Sequence, residues 1–204
     1  MTSDYTATQP PATPPLEPAA PADHPSPVAV SRAAQHAPLP DDKAAIWSRF
    51  GNWEETYFPQ VVGLVLEEAR VDYARLRLPY RPELRQPAGV VHGGAIATLI
   101  DTVVVPAVGA HYPALPIMLT IDMQIRYLGA ARETDLVAEG WVVKRGKSIV
   151  FCEASVTTDP GNEVVADGWL TYRVIPPTDP AGSIGGTERP DPTGLAGGTG
   201  NGSS

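Results

Sequence analysis

Between residues 41 and 176 the apolar positions follow two different periods. Along "VDYARLRLPY", Ala74, Leu76 and Leu78 alternate with Tyr73, Arg75 and Arg77. That period of two sets one side of a strand against a core and the other toward water. "VVGLVLEEAR", just before it, reads as a partner strand. From about Gly93 to about Gly109 the chain is apolar nearly all round, which predicts a helix enclosed by the rest of the protein. Pro106 falls inside that run. It lacks a backbone donor and should kink or shorten the helix there. Upstream, "PDDKAAIWSRF" predicts a short helix with Asp41 or Asp42 as N-cap, closed by Gly51 and Asn52.

Four further strands are predicted after the long helix: "MLTIDMQIRYL", "DLVAEGWVVK", "SIVFCEASVTT" and "EVVADGWLTYRVI". The turns joining the last three are explicit, with Gly146 in "KRGK" and a Pro-Gly pair in "TDPGNE". Those three strands should form an antiparallel meander. The order helix, two strands, long helix, four strands is satisfied by an α+β architecture in which one curved antiparallel sheet wraps one central helix.

Composition marks the limits of that unit. Residues 1–40 carry ten of the 23 prolines, mixed with Ala, Thr and Ser, and cannot assemble an apolar core that offsets their ordering entropy. After Pro176 the chain turns to Gly, Ser, Thr and Pro. The expected division is a Pro/Ala-rich disordered tail over 1–40, a folded domain over 41–176, and a Gly/Ser/Pro-rich tail over 177–204. The formal net charge is −8, with no long basic run, so a nucleic-acid partner is not expected. No stretch reaches the length of a membrane span, and one cysteine, Cys152, cannot form an internal disulfide. A cytoplasmic protein is the expectation.

One charge breaks the pattern. Between Gln86 and Ile121 there is no Lys, Arg or Glu, and the only Asp is Asp101. Burying a lone carboxylate costs several kcal/mol unless something compensates it. Asp101 is therefore either less buried than the helix pattern suggests or held there by a function.

The stretch "QPAGVVHGGAIATLID" followed by the strand "LTIDMQIRYL" resembles the hotdog-fold acyl-CoA thioesterases of the PaaI and 4-hydroxybenzoyl-CoA thioesterase type. The likeness covers about residues 45–175. It implies a sheet wrapped round a central helix and chains paired as dimers. It also implies site residues. The amide six positions before the histidine is Gln86, where Asn is commoner. His92 and Gly93 match the His-Gly pair, and the catalytic carboxylate is Asp101, nine positions after the histidine. The strand hydroxyl is Thr120.

Those residue types suit the chemistry. Thioester hydrolysis places negative charge on the carbonyl oxygen, and a backbone N–H at a helix N-terminus is a ready donor to it. Gly93 permits close approach, and Gly94 keeps the way in open. Asp101 would activate water or attack the thioester to give an anhydride. Thr120 would orient Asp101 or the water, Gln86 would bond the thioester region, and His92 would orient the loop. Gly93 and Asp101 are eight residues apart, roughly 12 Å along a helix, too far to serve one carbon. Two chains related by a twofold axis can bring Gly93 of one beside Asp101 of the other. The expected assembly is a homodimer, or a dimer of such dimers. Arg145, Lys147 and, less directly, Arg126 are candidates to meet the phosphates of coenzyme A. The expected substrate is an aromatic or medium-to-long acyl-CoA, with coenzyme A arriving as part of the substrate and no metal or redox cofactor. Two alternatives stay open: an acyl-thioester binding module without catalysis, and a hotdog hydratase or dehydratase.

Overall fold

The computed structural model describes residues 30–177. The expectations for 1–29 and 178–204 lie outside the described residues. A six-stranded antiparallel sheet curls round one long helix, α3, Gly93–Gly109. Its strands are β1 (Val65–Arg70), β2 (Tyr73–Leu78), β3 (Ile117–Tyr127), β4 (Asp135–Arg145), β5 (Ile149–Asp159) and β6 (Val164–Ile175), in the order β1-β2-β4-β5-β6-β3. The expected meander is present as β4, β5 and β6. β3 returns to pair with β6 and forms one edge of the sheet.

The helix sits close to the sheet because the sheet is hollowed beneath it. Register aligns Ala74, Gly140, Ala154 and Gly168 in one transverse row across β2, β4, β5 and β6. A Cβ at Gly140 would lie 2.8 Å from Val103 and 3.0 Å from Val104, and one at Gly168 would lie 2.9 Å from Ile100. Ile100, Val103 and Val104 of α3 fill that row and are fully buried. Pro106 does not shorten α3. It stands in the last turn, so it removes only one interior bond, and Ala110 N–H still reaches the Pro106 carbonyl at 3.0 Å.

Three other expectations are corrected. The first helix, α1, spans Asp41–Trp47 with Pro40 as N-cap; Asp41 and Asp42 lie in its first turn, where they favour the positive end of the helix dipole. The head of the expected first strand is instead a short helix, α2, Phe58–Val62. It is closed by Gly63 at φ 85°, a left-handed position that glycine tolerates best. The domain also begins earlier than residue 41. Residues 30–40 cross the outer face of the sheet, opposite α3. His36 stacks on Tyr73 with ring centroids 5.1 Å apart, Arg32 lies over the Trp141 ring at 4.0 Å, and Pro38 bridges to Arg70. This strap is why Tyr73, expected to face water, is fully buried.

Candidate active site

The N-terminus of α3 is built by the loop before it. After a 3-10 turn at Pro82–Leu84, Gln86 N–H bonds the Val90 carbonyl and Gly89 N–H bonds the Gln86 carbonyl, both at 2.9 Å. Gly89 holds φ 77° in this tight turn. His92 N–H then bonds the Leu84 carbonyl at 2.7 Å, which fixes the point of departure of the helix.

The first backbone donors of α3 are not equivalent. His92 is the N-cap. Its Nδ1 accepts from Gly94 N–H at 2.8 Å, which places the imidazole proton on Nε2. Its carbonyl accepts from Ala95 and Ile96 N–H at 2.9 and 3.3 Å. Gly93 N–H alone of these has no partner among the described residues. The cap thus leaves one main-chain donor free at the positive end of the helix, a geometry suited to a developing oxyanion. Tyr127 supports this end from β3. Its hydroxyl donates to the Gly93 carbonyl at 2.9 Å, and its ring lies 3.3 Å from where a Gly93 Cβ would stand.

Two turns further along, Asp101 is half-buried rather than enclosed. It lies on a stripe with Gly94, Thr98 and Val105, at helical spacing, that the chain's own sheet leaves partly open. Thr120 Oγ1 donates to Asp101 Oδ1 at 2.9 Å. Tyr172, which nothing in the helix motif signals, places its hydroxyl 2.5 Å from the same Oδ1 and 2.7 Å from the Asp101 carbonyl. The lone carboxylate in the apolar run is therefore compensated by two hydroxyls from the sheet.

The remaining predicted residues are placed as follows. Gln86 is exposed in the loop before the helix. A small cleft of about 300 Å³ opens beside this end of α3, lined by Phe58, Val62, Leu84, His92, Gly94 and Thr98 among others. Lys147 is exposed in the β4–β5 turn. Arg145, expected at the tip of that hairpin, turns inward instead. A bulge at Val143 shifts the β4 register, so Arg145 pairs with Val150 and faces the helix. There it meets Asp72 and donates to the Val108 carbonyl at 3.3 Å, at the negative end of α3. Arg126 points to the outer face, bonded through two nitrogens to Asp167 and lying 4.5 Å over the Trp169 ring. A larger groove of about 550 Å³ lies against the strap on that outer face and contains none of the predicted site residues.

A hotdog-fold thioester hydrolase is the class that these features define. The family model described as Thioesterase superfamily matches residues 88–165, from the loop before His92 to the start of β6. A provisionally named esterase of Halobacterium salinarum is 40% identical over 125 residues, 56% of this chain and 82% of that protein. Human acyl-coenzyme A thioesterase 13 is 27% identical over 113 residues, 54% of this chain and 80% of that one. The structure of the E. coli PaaI protein from the phenylacetic acid degradation operon aligns with TM-score 0.60 at 15% identity, covering 67% of this chain and 96% of that one; at that identity the likeness concerns the fold. The chain belongs to the thioesterase superfamily. Among the described residues, no helix is long and apolar enough to cross a membrane.

Proposed function

We propose that this protein hydrolyses an acyl-coenzyme A thioester to the free acid and coenzyme A, in two equivalent sites each shared by two chains of a cytoplasmic homodimer. The observation that carries the reading is the pairing of one free helix N-terminal donor, Gly93 N–H, with one carboxylate held by hydroxyls on the same helix, Asp101. The first polarises the thioester carbonyl. The second, from the partner chain, activates water or attacks the carbonyl carbon. In the attack route, the carboxylate oxygen forms a mixed anhydride as the C–S bond breaks and coenzyme A leaves as thiolate. Water then cleaves the anhydride and restores the acid. No cofactor is needed in either route.

The need for a second chain is supported by what this chain leaves uncovered. β3 is an eleven-residue edge strand. It exposes Ile117, Leu119, Ile121 and Tyr127, with Ile121 56% exposed. A long apolar edge of this kind is a template for strand pairing. It lies beside the open stripe of α3 that carries Asp101. The cleft at Phe58 and Val62 supports an apolar acyl or pantetheine segment at the Gly93 end, and the acyl-CoA substrate class follows the name of the human relative.

The test is thiol release from a panel of aromatic and straight-chain acyl-CoA esters by wild type and Asp101→Ala. The variant is expected to lose about two to three orders of magnitude in kcat, the scale of removing one participating group. An unchanged rate would remove Asp101 from the mechanism, and tight acyl-CoA binding without release by wild type would mark a binding module instead.

A further inference from the structure

The register of the sheet puts Thr120 of β3 directly opposite Tyr172 of β6. Cross-strand partners project to the same face, here toward α3. Immediately after Thr120 the register slips, and Asp122 pairs with Thr171, so Ile121 is an extra residue in the edge strand. Such bulges re-aim neighbouring side chains. Both hydroxyls converge on Asp101 Oδ1, at 2.9 Å and 2.5 Å. Asp101 Oδ2 has no partner among the described residues.

We propose that Tyr172 is a positioning residue for the hydrolytic reaction: with Thr120 it holds Asp101 Oδ1, so that Oδ2 alone is presented to the thioester or the attacking water. This inference rests on the reading of Asp101 as base or nucleophile. A carboxylate on a short side chain rotates freely unless held, and the two oxygens would exchange places. Two donors on one oxygen stop that rotation and leave the negative charge of the other unshared. Holding a reacting atom in its attack geometry is a large part of what an enzyme contributes to rate. Tyr172 is suited to this task because it is buried. Burial, reinforced by the adjacent Asp101 carboxylate, pushes its phenol well above the ordinary tyrosine range. It therefore remains a protonated donor wherever the enzyme works. The same hydroxyl lies 2.7 Å from the Asp101 main-chain carbonyl, so its one proton is shared between the acid and the helix backbone.

Tyr172→Phe removes the hydroxyl and keeps the ring in its slot. The expected result is a kcat reduced by about tenfold with KM changed by less than about twofold, since the oxygen acts in the transition state and not in binding. The thermal midpoint should fall by no more than a few degrees, since Thr120 still bonds the acid. Thr120→Val removes the other donor to the same oxygen and should behave alike. The double variant should lose more than the product of the two single losses, because only then is the carboxylate free to turn. A Tyr172→Phe enzyme with wild-type kcat, or one altered only in KM, or a double variant whose losses simply multiply, overturns the positioning role. Asp101→Asn is measured alongside. If it retains wild-type turnover, the reading of Asp101 itself fails; if it is inactive while Tyr172→Phe is fully active, only the present inference fails.

Discussion

At the scale of single residues, Cys152 shows what burial does to a reactive group. Cys152 is buried under α3, and desolvation raises its thiol to about 12. The thiolate, the reactive form, is then absent at neutral pH. Native protein should therefore consume no chromogenic thiol reagent over the minutes of an assay and one equivalent after denaturation; reaction in the native state would show that the core opens locally. Asp101 was legible in the sequence because a charge in an apolar run is conspicuous, and Gly93 because the helix motif begins there. Tyr172 was not. Its role depends on a rung of the sheet shared with Thr120, and no local pattern in "GWLTYRV" encodes which residue of another strand lies opposite. The inward turn of Arg145 was hidden for a related reason. A single inserted position, Val143, reverses the side to which everything after it points.

At the scale of elements, the long helix and the four strands after it were readable because their periods are long and their turns are marked. The short α2 is hidden in the apolar pattern, although Pro59 near its start and Gly63 at its end are the usual signs of a helix beginning and stopping. Val61 and Val62 read as the start of a strand because two valines carry no period of their own. The contact between α3 and the sheet yields a sharper statement. Gly140→Ala would put a methyl group 2.8 Å from Val103 Cγ1 and 3.2 Å from the Val103 carbonyl carbon. The backbone cannot yield as a long side chain would. The expected cost is about 1–3 kcal/mol, as for other overpacked cores, read as a lower midpoint in denaturant with an unchanged slope. A variant as stable as wild type would mean that α3 can lift from the sheet without penalty.

At the scale of the whole molecule, the open edge of β3 and the half-covered stripe of α3 leave apolar surface uncovered on one chain, as the proposed pairing of chains requires. The proposed sharing of each site can be checked by complementation. Gly93→Val and Asp101→Ala chains, each expected to be inactive alone, are refolded together. If each site draws one group from each chain, mixed dimers contain one intact site, and random pairing about a twofold axis restores up to about a quarter of wild-type activity per chain. No recovery from a mixture shown to contain mixed dimers would place both groups of each site in one chain. The strap over residues 30–40 was invisible to composition, because proline and alanine content describes what a segment cannot do alone and not what a sheet can do for it. Its course has a practical side. Val30, the first described residue, lies on the side of the sheet that α3 does not touch, while Pro177, the last, lies just beyond β6, the strand bearing Tyr172. A reporter dye attached at Val30→Cys, on an exposed position of that outer face, therefore sits across the sheet from α3.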